Sequence, residues 1–251
     1  MKVVTWNVNG IRARESQVLE LLDRESPDLV CLQEIKAPAA KVPESLRALP
    51  GYHACWHGDS AYSGVALLVR TERVAAPPAF FHPPFDFETR VVAAPVGEVT
   101  VACLYVPNGG KDFEAKLRFV AALDGWVVEA TAAGRPLLLC GDLNITATSA
   151  DVHEKERRAD AIGQRDDERG LLSGLLARGL VDVGRALDPD NPALFTWWPP
   201  WRGLRQKNVG WRIDYVVASR ALAGQARRCR VLAEFGTSDH APVVSEFEGW
   251  G

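Results

Sequence analysis

Residues 136–144 read PLLLCGDLN. An unbroken apolar run bounded by turn residues is the mark of a strand covered on both faces, because neither alternate set of side chains meets water. The run stops at Gly141-Asp142-Leu143-Asn144, where a carboxylate and an amide follow a glycine. The same pattern recurs along the chain. β-rich runs cover residues 2–6, 29–33, 65–70, 91–94, 99–106, 213–218 and 242–247. Between them lie apolar residues at helical spacing, such as Val18, Leu19, Leu21 and Leu22 in 16–25. Leu117, Phe119, Val120, Leu123, Val127 and Val128 mark a second helix in 113–131, and residues 166–178 a third. Strands alternating with helices predict α/β layers. Proline-rich stretches at 75–84 and 197–200 read as loops, and no shift in composition marks a boundary, so one domain over 1–251 is expected.

Composition narrows the class. A chain of 251 residues, 47% hydrophobic and 24% charged, is a globular protein rather than a disordered or collagen-like one. The five cysteines are odd in number and none are spaced CxxC. Cys31, Cys103 and Cys140 sit inside apolar runs and are expected as buried free thiols of a reducing compartment, and a zinc site is not expected. His53, His57, His82 and His153 read as structural or exposed. The start MKVVTWNVNG has no signal region, and no run approaches the ~20 apolar residues of a membrane span. The expectation is therefore a cytoplasmic protein without a membrane partner, nucleoid-associated if its source is prokaryotic. The net charge of −3 argues against a protein that simply coats nucleic acid.

That total conceals an asymmetry. Residues 197–230 hold eight Lys and Arg against one acid, Asp214, a segment charge of +7 that leaves −10 for the remainder. Four of the eight tryptophans (Trp197, Trp198, Trp201 and Trp211) lie in the same segment. Basic residues interleaved with aromatics suit a phosphate backbone with its bases or sugars; the competing reading is a tryptophan cluster with a solvated arginine rim. The stretch 151–169, dense in both signs of charge, reads equally as a solvated loop or a substrate-contacting one.

The ends of the apolar runs carry the chemistry. They read Trp6-Asn7-Val8-Asn9-Gly10, Gln33-Glu34, Tyr105-Val106-Pro107-Asn108, Gly141-Asp142-Leu143-Asn144, Arg212-Ile213-Asp214 and Ser238-Asp239-His240. Ligands of α/β sheets bind beyond strand ends, so these signatures point to one convergent site. Its donors are Glu34, Asp142, Asp214 and Asp239, several amides and one histidine. Hard oxygens without thiolate suit Mg²⁺, with Mn²⁺ as a substitute. Carboxylates around a cation with one histidine suit metal-assisted hydrolysis of a phosphate ester. Each signature alone could be an ordinary turn or cap; their joint occurrence in this order is the signal.

The set WNVNGIR, LVCLQEIK, YSGVALL, CLYVPNGG, GDLNI, KNVGWRIDYVVAS and TSDHAPV resembles the exonuclease III family of apurinic/apyrimidinic (AP) endonucleases, within the endonuclease/exonuclease/phosphatase superfamily. The resemblance runs from Val3 to Val244. It implies a four-layered α/β sandwich with two central mixed β-sheets flanked by helices. It implies an exodeoxyribonuclease III or AP endonuclease of base excision repair, monomeric, acting on double-stranded DNA with abasic sites or 3′ ends. By the same resemblance Glu34, Asn7 and Asp239 serve the metal, with Asp142 and Asn144 shared between metal and attacking water. His240, oriented by Asp214, would polarise the phosphate. Tyr105 is a further catalytic residue, and whether it or Asp142 activates the water stays open. Asn108, Lys36, Lys111, Lys207 and Asn208 are implied DNA contacts, and Trp197, Trp211 and Ile213 the walls of a pocket for an extruded abasic sugar. Two other readings are a superfamily phosphatase of small phosphoesters and a catalytically silent DNA-binding protein.

Overall fold

The computed structural model describes residues 1–250. Its strands in chain order are β1 (Lys2–Asn7), β2 (Leu29–Gln33), β3 (Tyr52–His57), β4 (Val65–Arg70), β5 (Val91–Val96), β6 (Val99–Tyr105), β7 (Leu137–Asp142), β8 (Leu180–Asp182), β9 (Asp214–Ser219), β10 (Ala226–Val231) and β11 (Val243–Phe247). They form two mixed sheets, one of order β10-β11-β1-β2-β4-β3 and one of order β5-β6-β7-β9-β8. The expected two-sheet α/β architecture is the one observed.

The doubly apolar strands explain the layering. Val3, Cys31, Leu67, Val101, Cys103, Leu138 and Cys140 project between the sheets and form the central core. The alternate residues Val4, Trp6, Val30, Leu32, Ala66 and Leu68 face outward under Val18, Leu21 and Leu22 of the helix Glu15–Glu25. On the other sheet Ala102, Leu104, Leu137 and Leu139 face Phe119, Val120, Leu123 and Val127 of the helix Phe113–Ala132 and Leu172 and Leu175 of Asp166–Ala177. Both faces of each sheet are thus covered, and the order is helix, sheet, sheet, helix. The expected buried thiols Cys31, Cys103 and Cys140 lie in the inter-sheet core, and all five cysteines are free. Burial pushes the Cys103 thiol well up, out of reach of ionisation.

Register sets up one polar end. In the five-stranded sheet Tyr105 pairs with Asp142, and Asp142 with Asp214. In the six-stranded sheet Asn7 pairs with Gln33, the residue before Glu34. Because β9 runs antiparallel to β7, its first residue meets the last residue of β7. Gly141 permits this arrangement. Its φ is +152°, and a Cβ there would lie 1.9 Å from the Leu104 carbonyl oxygen, so β6 and β7 approach as closely as they do only over a bare backbone.

Three strands escape the apolar reading. β3 is half-buried throughout, β8 has only three residues, and β10 (ARRCRV) is an edge strand with Arg227 and Arg228 exposed. All three occupy sheet edges, where one side meets solvent and charge is tolerated. No helix among the described residues is long and apolar enough to cross a membrane.

Gly141→Ala should cost about 3 kcal/mol or more, since backbone rather than a pliable side chain blocks the methyl. Denaturant unfolding checks this; a midpoint equal to that of the parent would contradict the argument.

Candidate active site

The cleft at this end encloses about 290 Å³ and is lined by Glu34, Tyr105, Asn108, Asp142, Asn144, Ile162, Trp197, Trp211, Ile213, Asp239 and His240. Eight of these eleven residues belong to the strand-end signatures, Trp197 and Trp211 are the pocket walls implied by the resemblance, and the eleventh is Ile162. A larger neighbouring cavity, of about 820 Å³, shares Tyr105 and Asn108 with the cleft and includes Lys111.

At the floor, Asp142 is buried and accepts three N–H groups. The Asn144 backbone donates to Oδ1 at 2.8 Å, and Asn7 Nδ2 (2.9 Å) and Asn144 Nδ2 (3.2 Å) donate to Oδ2. Behind His240, Asp214 receives the Nδ1 proton at 2.9 Å. A carboxylate only accepts, so Nδ1 carries hydrogen and Nε2 faces the cleft, 3.9 Å from Asp142 Oδ2. Burial pushes Asp142 up to about 7; His240 draws it down, and the neighbouring Asp214 charge adds to the rise. Burial works against the charged form of His240, yet the adjacent Asp214 carries its pKa up to about 10. At neutral pH His240 is an imidazolium clamped between two acids.

The upper wall is held equally firmly. Asp239 accepts from Asn9 Nδ2 (2.8 Å) and Trp197 Nε1 (3.0 Å). Burial raises its carboxyl, but His240 and these two donors hold it below the usual range. Trp197 meets Trp211 edge to face, ring centroids 5.4 Å apart. The Tyr105 hydroxyl donates to Glu34 Oε1, while Lys36 reaches Glu34 Oε2 (2.8 Å) and Asn9 Oδ1 (2.6 Å). Burial, reinforced by the Glu34 and Asp142 charges, keeps the Tyr105 phenol protonated well above its ordinary range. Asn9, Glu34 and Asn144 all have left-handed backbone, with φ of 45°, 52° and 52°. Such conformations cost about 1–3 kcal/mol each outside glycine, least for asparagine, and persist where the surroundings over-determine them.

Residues 4–240 match the Endonuclease/Exonuclease/phosphatase family. The chain belongs to this family. It is 33% identical over 253 residues to the exodeoxyribonuclease of Bacillus subtilis, covering 97% of this chain and 98% of that one. It is 31% identical over 252 residues to Recombination repair protein 1 of Drosophila melanogaster; the match covers 98% of this chain but only 37% of the length of that relative. Among solved structures it is similar to the 3′ phosphatase NExo from Neisseria bound to product DNA hairpin, at 35% identity and a TM-score of 0.90, covering 99% of both chains.

Within this family member, not every residue singled out in the sequence lies at the cleft. Lys36 adjoins it through Glu34, and Lys111 stands 4.8 Å from the Tyr62 ring in the neighbouring cavity. Lys207 is exposed and donates to the Arg202 carbonyl oxygen (2.9 Å). The Asn208 amide is used inside the protein, accepting from Trp198 Nε1 (3.1 Å) and donating to the Ala193 carbonyl oxygen (3.3 Å). The basic segment is also less free than its charge suggests. Arg205 donates to the carbonyl oxygens of Ala233, Phe235 and Ser238; Arg212 pairs with Asp151 and Asp182; Arg227 pairs with Glu248 and Arg230 with Glu25.

The charged stretch 151–169 is partly a buried frame. Asp151 and Glu168 are 1% and 0% exposed, whereas a solvated loop would show both open. Glu168 pairs with Lys116, also fully buried, whose Nζ donates to the carbonyl oxygens of Asn144 (2.8 Å) and Asn108 (3.2 Å). Glu168 Oε2 accepts from the Gly163 N–H (2.7 Å), next to Ile162. One ion pair therefore fixes three loops of the cleft. Lys116 sits on an otherwise amphipathic helix and Glu168 in a charge-dense run, so neither stands out in the sequence.

Lys116→Met should destabilise the protein by about 3–5 kcal/mol by stranding Glu168, whereas Lys116→Met/Glu168→Leu should recover much of the loss. Urea unfolding of both variants checks this; additive losses would remove the pair from this role.

Proposed function

We propose that this chain, a DNA-repair nuclease of the family above, hydrolyses DNA phosphodiester bonds 5′ to abasic sites, leaving a 3′ hydroxyl, and trims 3′ ends of duplex DNA. The observation that carries the reading is the facing of Asp142 and His240 across 3.9 Å, with Asp214 behind the imidazole, beneath walls of Trp197, Trp211 and Ile213. An acceptor and a donor so placed address opposite needs of one phosphate. Asp142 takes a proton from water as its oxygen bonds to phosphorus. His240 Nε2–H donates to a non-bridging oxygen as negative charge grows there. The bond to the 3′ oxygen breaks, and that oxygen leaves as a hydroxyl after protonation from solvent. Tyr105 keeps its proton and donates to Glu34, so Asp142 rather than Tyr105 is the base.

The donor set fits a hard divalent cation. Glu34, Asp142, Asp214 and Asp239 converge with His240 and Lys36 among them, and the lining of the cleft includes no thiolate. Glu34 with Asn7, Asp142, Asn144 and Asp239 would hold Mg²⁺, with Mn²⁺ in its place. The ion would supply charge neutralisation for an approaching phosphate and Lewis-acid polarisation of its oxygens. Asn108 and Asn144 border the phosphate, and Lys36, Lys111 and Lys207 take the flanking backbone. The aromatic recess suits an extruded sugar ring, and a nucleotide without a base loses little stacking when it leaves the duplex. Cleft residues run from Glu34 to His240, resting on Asn7 beneath, so 1–251 is read as one catalytic domain, active as a monomer.

The deciding experiment offers three substrates in Mg²⁺: duplexes carrying an internal abasic analogue or a recessed 3′ end, and a soluble phosphomonoester. Cleavage of both duplexes is expected. Turnover of the phosphomonoester alone would favour the phosphatase reading, and binding without cleavage the silent one. EDTA should abolish cleavage; persistence would remove the metal from the reading.

Against pH, kcat/KM should fall below about 7 as Asp142 gains a proton and above about 10 as His240 loses one. A bound cation favours the carboxylate, so raising Mg²⁺ should move the acid limb to lower pH. Asp142→Asn should lower kcat by about 10²-fold or more while leaving DNA affinity within a few-fold. Stopped-assay rates and filter binding check both statements.

A further inference from the structure

Away from the cleft, His57, His82 and Asp86 gather three potential ligand atoms within 4.8 Å of one another. His57 ends β3, while His82 and Asp86 lie in the connection between β4 and β5. The two imidazoles stack with ring centroids 3.6 Å apart, and His57 Nε2 lies 2.6 Å from Asp86 Oδ2.

Contacts outside the cluster already sort its atoms. His82 Nδ1 is 2.9 Å from the Val91 carbonyl oxygen. A carbonyl only accepts, so Nδ1 carries the hydrogen and Nε2 presents a lone pair. Asp86 Oδ1 accepts from the backbone N–H of Arg90 (2.7 Å) and Val91 (2.8 Å), which leaves Oδ2 to the histidines. Pro83-Pro84 restrict the chain between His82 and Asp86, and the Asp86 N–H donates to the Pro83 carbonyl oxygen at 2.9 Å. An imidazole oriented by a backbone carbonyl, as His82 is, and a carboxylate oriented by N–H donors are the outer support that metal ligands require.

We propose that His57, His82 and Asp86 bind a borderline divalent transition metal, zinc above all, which fastens the connection between β4 and β5 to the end of β3. Two imidazole nitrogens and one carboxylate oxygen suit zinc and not magnesium, in contrast to the oxygen donors of the cleft. Ligand atoms about 2.0–2.2 Å from one ion lie roughly 3.3 Å apart, so the cluster contracts and the two rings turn out of their stack. His82 is exposed and free to make that turn. On binding, solvent takes the His57 Nε2 proton and Nδ1 holds the hydrogen of the neutral ring, so that Nε2 offers its lone pair; Asp86 Oδ2 exchanges His57 for the ion, and water takes the fourth position. Burial raises the Asp86 carboxyl, but the His57 hydrogen bond and the two N–H donors outweigh it, so the ligand is ionised at neutral pH. The anchored segment leads into Arg90, whose guanidinium lies 4.7 Å from the Tyr105 ring, so the site steadies one wall of the cleft without entering it.

The test is calorimetric titration of the metal-stripped full chain with Zn²⁺ in Mg²⁺-free buffer, beside His57→Gln, His82→Ala and Glu34→Gln. One tight equivalent is expected in the parent and in Glu34→Gln, weakened on the order of 100-fold or more in either histidine variant. Zinc should also raise the Tm of the parent but not of His82→Ala, and should shift the imidazole nitrogen resonances of both histidines. Circular dichroism in EDTA verifies that the variants fold; if His57→Gln does not, exposed His82 decides. Equal zinc affinity in the parent and His82→Ala, or no stoichiometric binding, overturns the proposal.

Discussion

Two carboxylates buried side by side at one register position constrain everything around them. Asp142 and Asp214 are paired across β7 and β9 with 1% and 2% exposure. Asp142 cannot be ionised in that setting without compensation, because burial and the neighbouring Asp214 charge act together. His240 supplies one positive charge between them. The surroundings then hold His240 in place: Trp6 Nε1 donates to its carbonyl oxygen, Ser238 Oγ accepts from its N–H, and Ser238 in turn donates to the Asn7 carbonyl oxygen. Thr196 Oγ1 accepts from the backbone of both Ile213 and Asp214. The six-stranded sheet thereby clamps an imidazolium onto the acids of the five-stranded sheet, and the site exists only where the two meet.

A second set of buried charges performs a mechanical task. The Lys116–Glu168 pair and the Arg212 pairs with Asp151 and Asp182 lie beneath loops that would otherwise be short, polar and mobile. Buried ion pairs add little net stability, but they penalise any arrangement that separates the partners, and this suits loops that must hold a narrow geometry. Of the positive charge concentrated in residues 197–230, Arg212 is committed to this framing, while Arg205, Arg227 and Arg230 are engaged with other groups of the protein. The −3 of the chain is therefore a poor guide in both directions: the segment is basic, but only part of it is available to a polyanion.

The legible and illegible parts divide along a physical line. Strands apolar on both faces, such as β2 and β7, announce themselves because burial on two sides leaves no freedom for polar residues. The edge strands β3, β8 and β10 do not: β10 tolerates arginines because its outer side meets solvent. In the site, Asp142, Asn144, Asp239 and His240 stand out because polar groups at the ends of apolar runs are costly unless used. Lys116 and Glu168 are equally buried, yet each occurs among residues that would be unremarkable on a surface. Asn208 is the converse, an amide that reads as a DNA contact and is bonded to Trp198 and Ala193.

The sequence alone determined the α/β alternation, the buried thiols, the set of donors at the cleft and, through its motifs, the family. These follow from local rules: the period of apolar residues, the cost of burying polar ones, and the order of short signatures. Only the tertiary structure decided which arginines are free, that Lys116 and Glu168 meet, and that His57, His82 and Asp86 share one corner. Those outcomes depend on pairs tens of residues apart. A charge reads identically in sequence whether its partner is another side chain or water, and only packing distinguishes the two.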